Sequence, residues 1–176
     1  MRWLARVIYT RWLGWSVTPF PLNTPKCVIA GAPHTSYWDF VVLALMRKMI
    51  DLETNFVAKK ELFVFPFGIY FRWMGGVAID RSMGDNRVER IAKIFGQQKL
   101  FRLAIAPEGT RKAVEKWKTG FYYIAHTAQI PLVLCRIDWG EKKISFSEPM
   151  MTTGDIAADF PKIKTYFLGA KGKADL

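Results

Sequence analysis

A single α/β domain, a mixed β-sheet flanked by helices, is the fold class this sequence predicts, and three observations predict it. From Lys26 onward, short apolar runs alternate with segments of helical length and period. The run 131–138 is followed, after Trp139-Gly140, by a second run at 143–147, which reads as an antiparallel pair. Finally, 176 residues at 51% apolar content are enough for one hydrophobic core and too few for several domains.

The elements follow in order. Residues 1–15 place Trp3, Leu4, Val7, Ile8, Trp12 and Trp15 on one side of a helical wheel, with Arg2 and Arg6 on the other. Arg11 falls near the apolar side, where a long side chain can snorkel to headgroups. The arginines break any signal-peptide core, and no run approaches the roughly 18 to 20 apolar residues of a spanning helix. Residues 1–17 are therefore expected to form an amphipathic helix that lies on a membrane through those six apolar side chains. The alternative is the same helix packed on the domain's own core.

Residues 18–25, with prolines at 19, 21 and 25, form a connector that cannot continue a helix, so the folded domain is expected over 26–176. Within it the pattern predicts strand 26–31, helix 39–49, strand 55–58, a short helix from Pro66, strand 77–80, helix 86–98 and strand 101–106. A helix at 120–128, strands 131–138 and 143–147, and a closing helix at 155–168 complete it. Cys27 and Cys135 sit in strand-like runs without Cys-x-x-Cys spacing, which points to buried reduced thiols. His126, in the middle of an apolar helix, is expected to be structural.

Twenty-six Lys and Arg against fifteen Asp and Glu leave a net charge of +11, so the partners are expected to be anionic. Charge alone does not choose between nucleic acid, an acidic carrier and lipid headgroups. Seven Trp, thirteen Phe and six Tyr beside that charge favour a water–lipid interface with anionic lipids. The aromatics lie mostly inside apolar runs, whereas stacking platforms for bases use exposed rings, so no nucleic-acid partner is expected. A basic membrane- or nucleic-acid-binding module without catalysis is the alternative of another class.

The chemistry is read from Pro33-His34-Thr35-Ser36-Tyr37-Trp38-Asp39, directly after the first strand of the domain. Open α/β sheets hold their sites in such carboxyl-end loops. A carboxylate on one imidazole nitrogen fixes the tautomer and frees the other to accept a proton, which makes His34 and Asp39 a base without a serine. The acceptor can then bring its own hydroxyl. Lys59 and Lys60, Arg81 and Arg111 each follow another apolar strand, so parallel neighbours would gather these cations at the same edge, a cluster suited to a phosphate ester.

Taken together, the His34–Asp39 segment, Ala58-Lys59-Lys60-Glu61-Leu62, Gly75-Gly76-Val77-Ala78-Ile79-Asp80-Arg81 and Ala106-Pro107-Glu108-Gly109-Thr110-Arg111 resemble, in order and spacing, the lysophosphatidic acid acyltransferase family of glycerolipid acyltransferases. The resemblance runs from Lys26 to about Asp138. It implies a glycerolipid acyltransferase-like fold, with His34 as general base, Asp39 as its orienting carboxylate and Ser36 as the serine between them. It also implies that Gly76 and Arg81, then Glu108, Gly109, Thr110 and Arg111, bind the acceptor, with arginine on phosphate.

The implied donor is a thioester, acyl-CoA or acyl carrier protein, with no metal and no prosthetic group. The implied acceptor is a lysolipid, 1-acylglycerol-3-phosphate first, and the implied location is the cytoplasmic face of the cell membrane, peripheral or monotopic. The chain departs from the family pattern at Pro33, Ala106, Lys112 and Leu134. These departures keep a lyso-aminolipid, such as lyso-ornithine lipid, or another lysophospholipid open as acceptor.

Overall fold

The structure is a computed structural model that describes residues 2–65, 67–79, 87–111, 114 and 116–175. Seven strands form one sheet: β1 (Ser16–Val17), β2 (Lys26–Ala32), β3 (Asn55–Lys59), β4 (Gly76–Ile79), β5 (Phe101–Ile105), β6 (Leu132–Asp138) and β7 (Lys143–Phe146), in the order β1-β7-β6-β2-β5-β3-β4. The helices are α1 (Arg2–Val7), α2 (Tyr37–Ile50), α3 (Phe67–Trp73), α4 (Arg87–Gln97), α5 (Gly120–Thr127) and α6 (Ile156–Tyr166). Strands β2, β3, β4, β5 and β6 are mutually parallel, and β7 runs antiparallel to β6 as its Trp139-Gly140 turn requires. All five parallel strands therefore end at one edge.

Because successive strand residues face opposite ways, β2 feeds two cores. Val28 and Ala30 pack with Leu103, Leu132 and Leu134 under Ile91 and Phe95 of α4, Phe121 and Tyr122 of α5 and Ile163 of α6. Cys27 and Ile29 face the other side, with Val133, Cys135 and Ile137, under Val42, Met46 and Met49 of α2. Both cysteines are free, and burial pushes each thiol up to about 12. His126 bonds Thr152 Oγ1 through Nδ1 at 3.1 Å, a structural contact on α5. The strands and helices stand within two residues of their expected positions, apart from Pro66, Asp80 and Asn86, which lie outside the described residues.

The N-terminal segment is where expectation and structure part. It is no continuous amphipathic helix: α1 gives way to a π-helical turn at Ile8–Trp12, and the left-handed backbone of Gly14, φ 71°, turns the chain back toward the sheet. Ala5, Tyr9 and Trp15 enter the α2-side core, and Ser16 and Val17 join the sheet beside β7. Trp15, expected on the membrane-facing side, is only 4% exposed and meets Trp139 edge-on, ring centroids 4.9 Å apart. Trp3, Leu4 and Trp12 do remain exposed, while Val7 and Ile8 are half-buried.

Nor is the connector free. Arg102 of β5 donates from Nε to the Thr24 carbonyl at 2.9 Å, its guanidinium lies over the Phe20 ring, and Thr18 Oγ1 accepts from the Phe146 amide. The boundary expected at Lys26 therefore does not bound the core. Truncating one large buried aromatic costs about 3–5 kcal/mol, so removing residues 1–17, with Tyr9 and Trp15 among them, would undermine the domain itself.

Candidate active site

The site is built at the shared carboxyl edge, starting with Asp39. Ser36 caps α2: its hydroxyl accepts from Trp38 N at 3.2 Å while Asp39, three residues on, accepts from the Ser36 amide at 2.8 Å, a capping box. The same Oδ2 accepts from Thr35 N at 2.9 Å and faces His34 Nδ1 at 3.0 Å. Oδ1 accepts from the Trp139 indole N–H at 2.6 Å. A fully buried carboxylate with four donors is fixed in position, and the first turn of a helix adds a favourable dipole.

Burial is the largest influence on Asp39 and pushes its pKa up, but the hydrogen bonds from His34, Ser36 and Trp139 together outweigh it and hold the carboxyl below its ordinary range. Facing an ionised carboxylate, His34 Nδ1 carries the hydrogen. Its Nε2 is left as acceptor, with no partner among the described residues, on a side chain 28% exposed.

The neighbouring strand supplies the second brace. Glu108, in the loop after β5, accepts from the His34 backbone N–H at 2.8 Å through Oε2, which ties the two loops together. Burial pushes its carboxyl up, opposed by the His34 amide. Gly109 has φ 65°, a left-handed backbone that favours glycine, and a Cβ there would crowd Lys118. Thr110 and Arg111 are exposed, and the Arg111 guanidinium stacks on the Tyr37 ring at 3.5 Å, bringing the cation to the start of α2. Lys60, itself exposed, opens a single turn, 60–63, after β3. Arg81 and the side chain of Lys59 lie outside the described residues.

Gly76 does not belong to this edge. It opens β4, opposite Phe56, and so stands at the amino end of a parallel strand, about 10 Å of strand from the carboxyl edge. Its missing side chain makes room for Phe71 O and for the rings of Phe56 and Phe63, so packing requires glycine there.

Two contributors escaped the sequence reading. Trp139 follows β6, whose carboxyl end shares the edge, and that strand-end position was the available signal. The C-terminal segment has none: Lys171 O accepts from Trp139 N at 2.9 Å, Ala174 N donates to Thr35 Oγ1 at 3.3 Å, and Lys173 Nζ lies 4.6 Å from the rings of both Trp38 and Trp139. Trp139→Phe keeps an aromatic ring, though a smaller one, and deletes the donor to a buried carboxylate. A hydrogen bond to a charged group is worth about 1.5–3 kcal/mol. We expect a fall in turnover of about tenfold or more and a lower denaturant midpoint, with KM values little changed. Full turnover in this variant would show the indole N–H to be dispensable.

On a parallel-sheet edge a buried, donor-saturated carboxylate faces a part-exposed imidazole whose other nitrogen has no partner among the described residues, an arrangement that can hold a base ready for a substrate hydroxyl. A search of curated proteins finds no match. The Acyltransferase family model matches residues 20–138, two thirds of the chain, and the chain belongs to that family. It is an acyltransferase. Among solved structures it resembles the 1-acyl-sn-glycerophosphate (LPA) acyltransferase PlsC of Thermotoga maritima, with a TM-score of 0.62 and 19% identity over 94% of this chain and 74% of that one. That likeness establishes the glycerolipid-acyltransferase fold. Among the described residues no helix is long and apolar enough to cross a membrane.

Proposed function

We propose that this enzyme moves a fatty acyl group from a thioester, acyl-CoA or acyl carrier protein, to the hydroxyl of a lysolipid, with 1-acylglycerol-3-phosphate as the acceptor. The observation that carries this reading is the His34–Asp39 pair, with Nδ1 engaged at 3.0 Å and Nε2 without a partner among the described residues at the sheet edge. His34 Nε2 takes the proton of the acceptor hydroxyl as its oxygen attacks the thioester carbonyl. When the tetrahedral intermediate collapses, the C–S bond breaks and the leaving thiolate receives that proton from Nε2. An ester and a free thiol result, and no metal or prosthetic group enters the scheme.

The acceptor is assigned from the cations. Arg111 follows β5, the neighbour of β2; Lys59 ends β3 with Lys60 directly after it, and Arg81 follows β4 in sequence. A guanidinium holds a phosphate through two parallel hydrogen bonds, which an ammonium cannot reproduce. Arg111→Lys should therefore raise KM for lysophosphatidate about tenfold, near 1.4 kcal/mol, and leave KM for the thioester unchanged. The measurement sets lysophosphatidate beside a zwitterionic lysolipid as acceptor. Equal losses for both, or a wild-type preference for the phosphate-free acceptor, would move the enzyme to lyso-aminolipids or other lysophospholipids with His34 and Asp39 unchanged in role.

Because donor and product are amphiphiles, we place the enzyme on the cytoplasmic leaflet, with Trp3, Leu4 and Trp12 of the N-terminal segment in contact with lipid. The exposure of those three side chains supports it.

A further inference from the structure

Helix α3 is apolar on both of its sides. Between Leu62 and Gly75 the sequence holds one charge, Arg72. Facing inward, Gly68 is buried where a Cβ would overlap the Phe63 carbonyl, and Phe71 packs 6.4 Å from the Phe56 ring and 6.0 Å from the Phe63 ring. Facing outward, Phe65 is 84% exposed, Trp73 81%, Ile69 64% and Tyr70 51%. A solvated helix carries polar residues on its outer side, and one that is apolar all round is covered by something.

Topology shows what lies beside it. The connections β2-α2-β3 and β3-α3-β4 advance toward the same end of the sheet, and such parallel crossovers are right-handed, so α2 and α3 cover one face. Arg47 of α2 joins them, donating to Thr54 O at 3.0 Å and to Met74 O, just past α3, at 3.2 Å. The segment carrying α1 packs on α2 through Ala5 and Tyr9, which adds exposed Trp3, Leu4 and Trp12 to this layer. The layer is also cationic: Arg2, Arg6, Arg11, Lys48, Lys60 and Arg72 outnumber Glu53, Glu61 and Asp51, and Asp51 is already paired with Arg2 at 3.3 Å. A cleft of about 260 Å³ lies among Arg2, Trp3, Arg6 and Met49.

We propose that this layer is a docking surface for an anionic bilayer, with α3 and Phe65 as its principal apolar contact and the N-terminal segment as a second one. The proposal builds on the lipid acceptor argued above and goes beyond it by adding a contact that the N-terminal segment does not provide. Exposed Tyr and Trp beside Arg and Lys are the side chains that gain most at headgroup depth. The lipid is chosen over a protein partner because the apolar and cationic side chains are spread over three elements of one face, α1, α2 and α3, rather than gathered in a single groove.

The test uses the full chain with phosphatidylcholine vesicles, with and without phosphatidylserine, and reads co-sedimentation. Phe65→Asp/Trp73→Asp should weaken binding to the anionic vesicles by about tenfold or more. Arg87→Asp/Lys93→Asp on α4, which changes more charge on the opposite face, should weaken it far less. Circular dichroism checks folding, and Phe65→Ser is the milder variant if the double one fails to fold. Wild-type binding by the α3 variants would overturn the proposal. So would a self-association, or binding to acyl carrier protein, that the α3 variant abolishes while vesicle binding stays intact. Vesicle binding needs no turnover, so its outcome is separate from that of the acyl-transfer reading.

Discussion

His34→Ala should lower acyl transfer by about two to four decades, the usual worth of a general base, while the protein stays folded. The side chain is part-exposed and, among the described residues, makes one side-chain hydrogen bond, to Asp39. When it is removed, Asp39 keeps the Thr35, Ser36 and Trp139 donors, and the Glu108 bond goes to the His34 backbone, which alanine retains. Turnover and stability therefore separate. The check is the initial rate of acceptor-dependent thiol release beside a thermal melt, and an alanine variant with half the wild-type rate would end the role assigned to His34.

Asp39→Asn should damage both. An asparagine must turn its NH₂ either toward the Trp139 indole N–H or toward the Thr35 and Ser36 amides, so at least one buried donor faces another donor. An unsatisfied buried group costs about 1–3 kcal/mol. If the amide nitrogen faces His34, the imidazole is driven to the wrong tautomer, a change worth on the order of 10⁴ in rate where a triad carboxylate is replaced by an amide. A variant holding more than about a tenth of the wild-type rate would contradict the orienting role.

The pH dependence follows from the same carboxylates. Because Asp39 is held below its ordinary range when folded, its ionised form contributes stability above that range, and the contribution is lost as pH falls through it toward the folded value. Glu108 is raised by burial, so its sign is opposite: the ionised form costs stability above the raised value, and that cost disappears as pH falls. Asp39→Asn should thus flatten the acid-side loss of stability, and pH titration of the denaturant midpoint reads it. An unchanged acid limb in Asp39→Asn would contradict the linkage.

What was legible in the sequence is what short range decides. His34 and Asp39 lie five residues apart, and a Ser-x-x-Asp capping box with the Thr35 and Ser36 amides on Asp39 sets their approach at short range. Glu108 and Arg111 were legible because β5 is a parallel neighbour of β2, so an apolar run ending in a charged turn arrives at the same edge. Trp139 is a hundred residues from Asp39 and offered only its strand-end position, and the tail around Lys173, which reaches the site through tertiary packing, left no local pattern. In the N-terminal segment a helical wheel assumes an unbroken period, which the π-helical turn and Gly14 break, and Trp15 went to the core. Gly76 was placed by motif alone, although strand direction puts it at the wrong end of β4.

The most direct measurement is made on the purified chain with an acyl thioester and 1-acylglycerol-3-phosphate, following free thiol and diacyl product together. The expected result is one thiol per ester formed, thiol release that depends on the acceptor, and both signals reduced to near background in His34→Ala. Thioester consumed at the same rate without any lysolipid, or ester formed undiminished by His34→Ala, would contradict it.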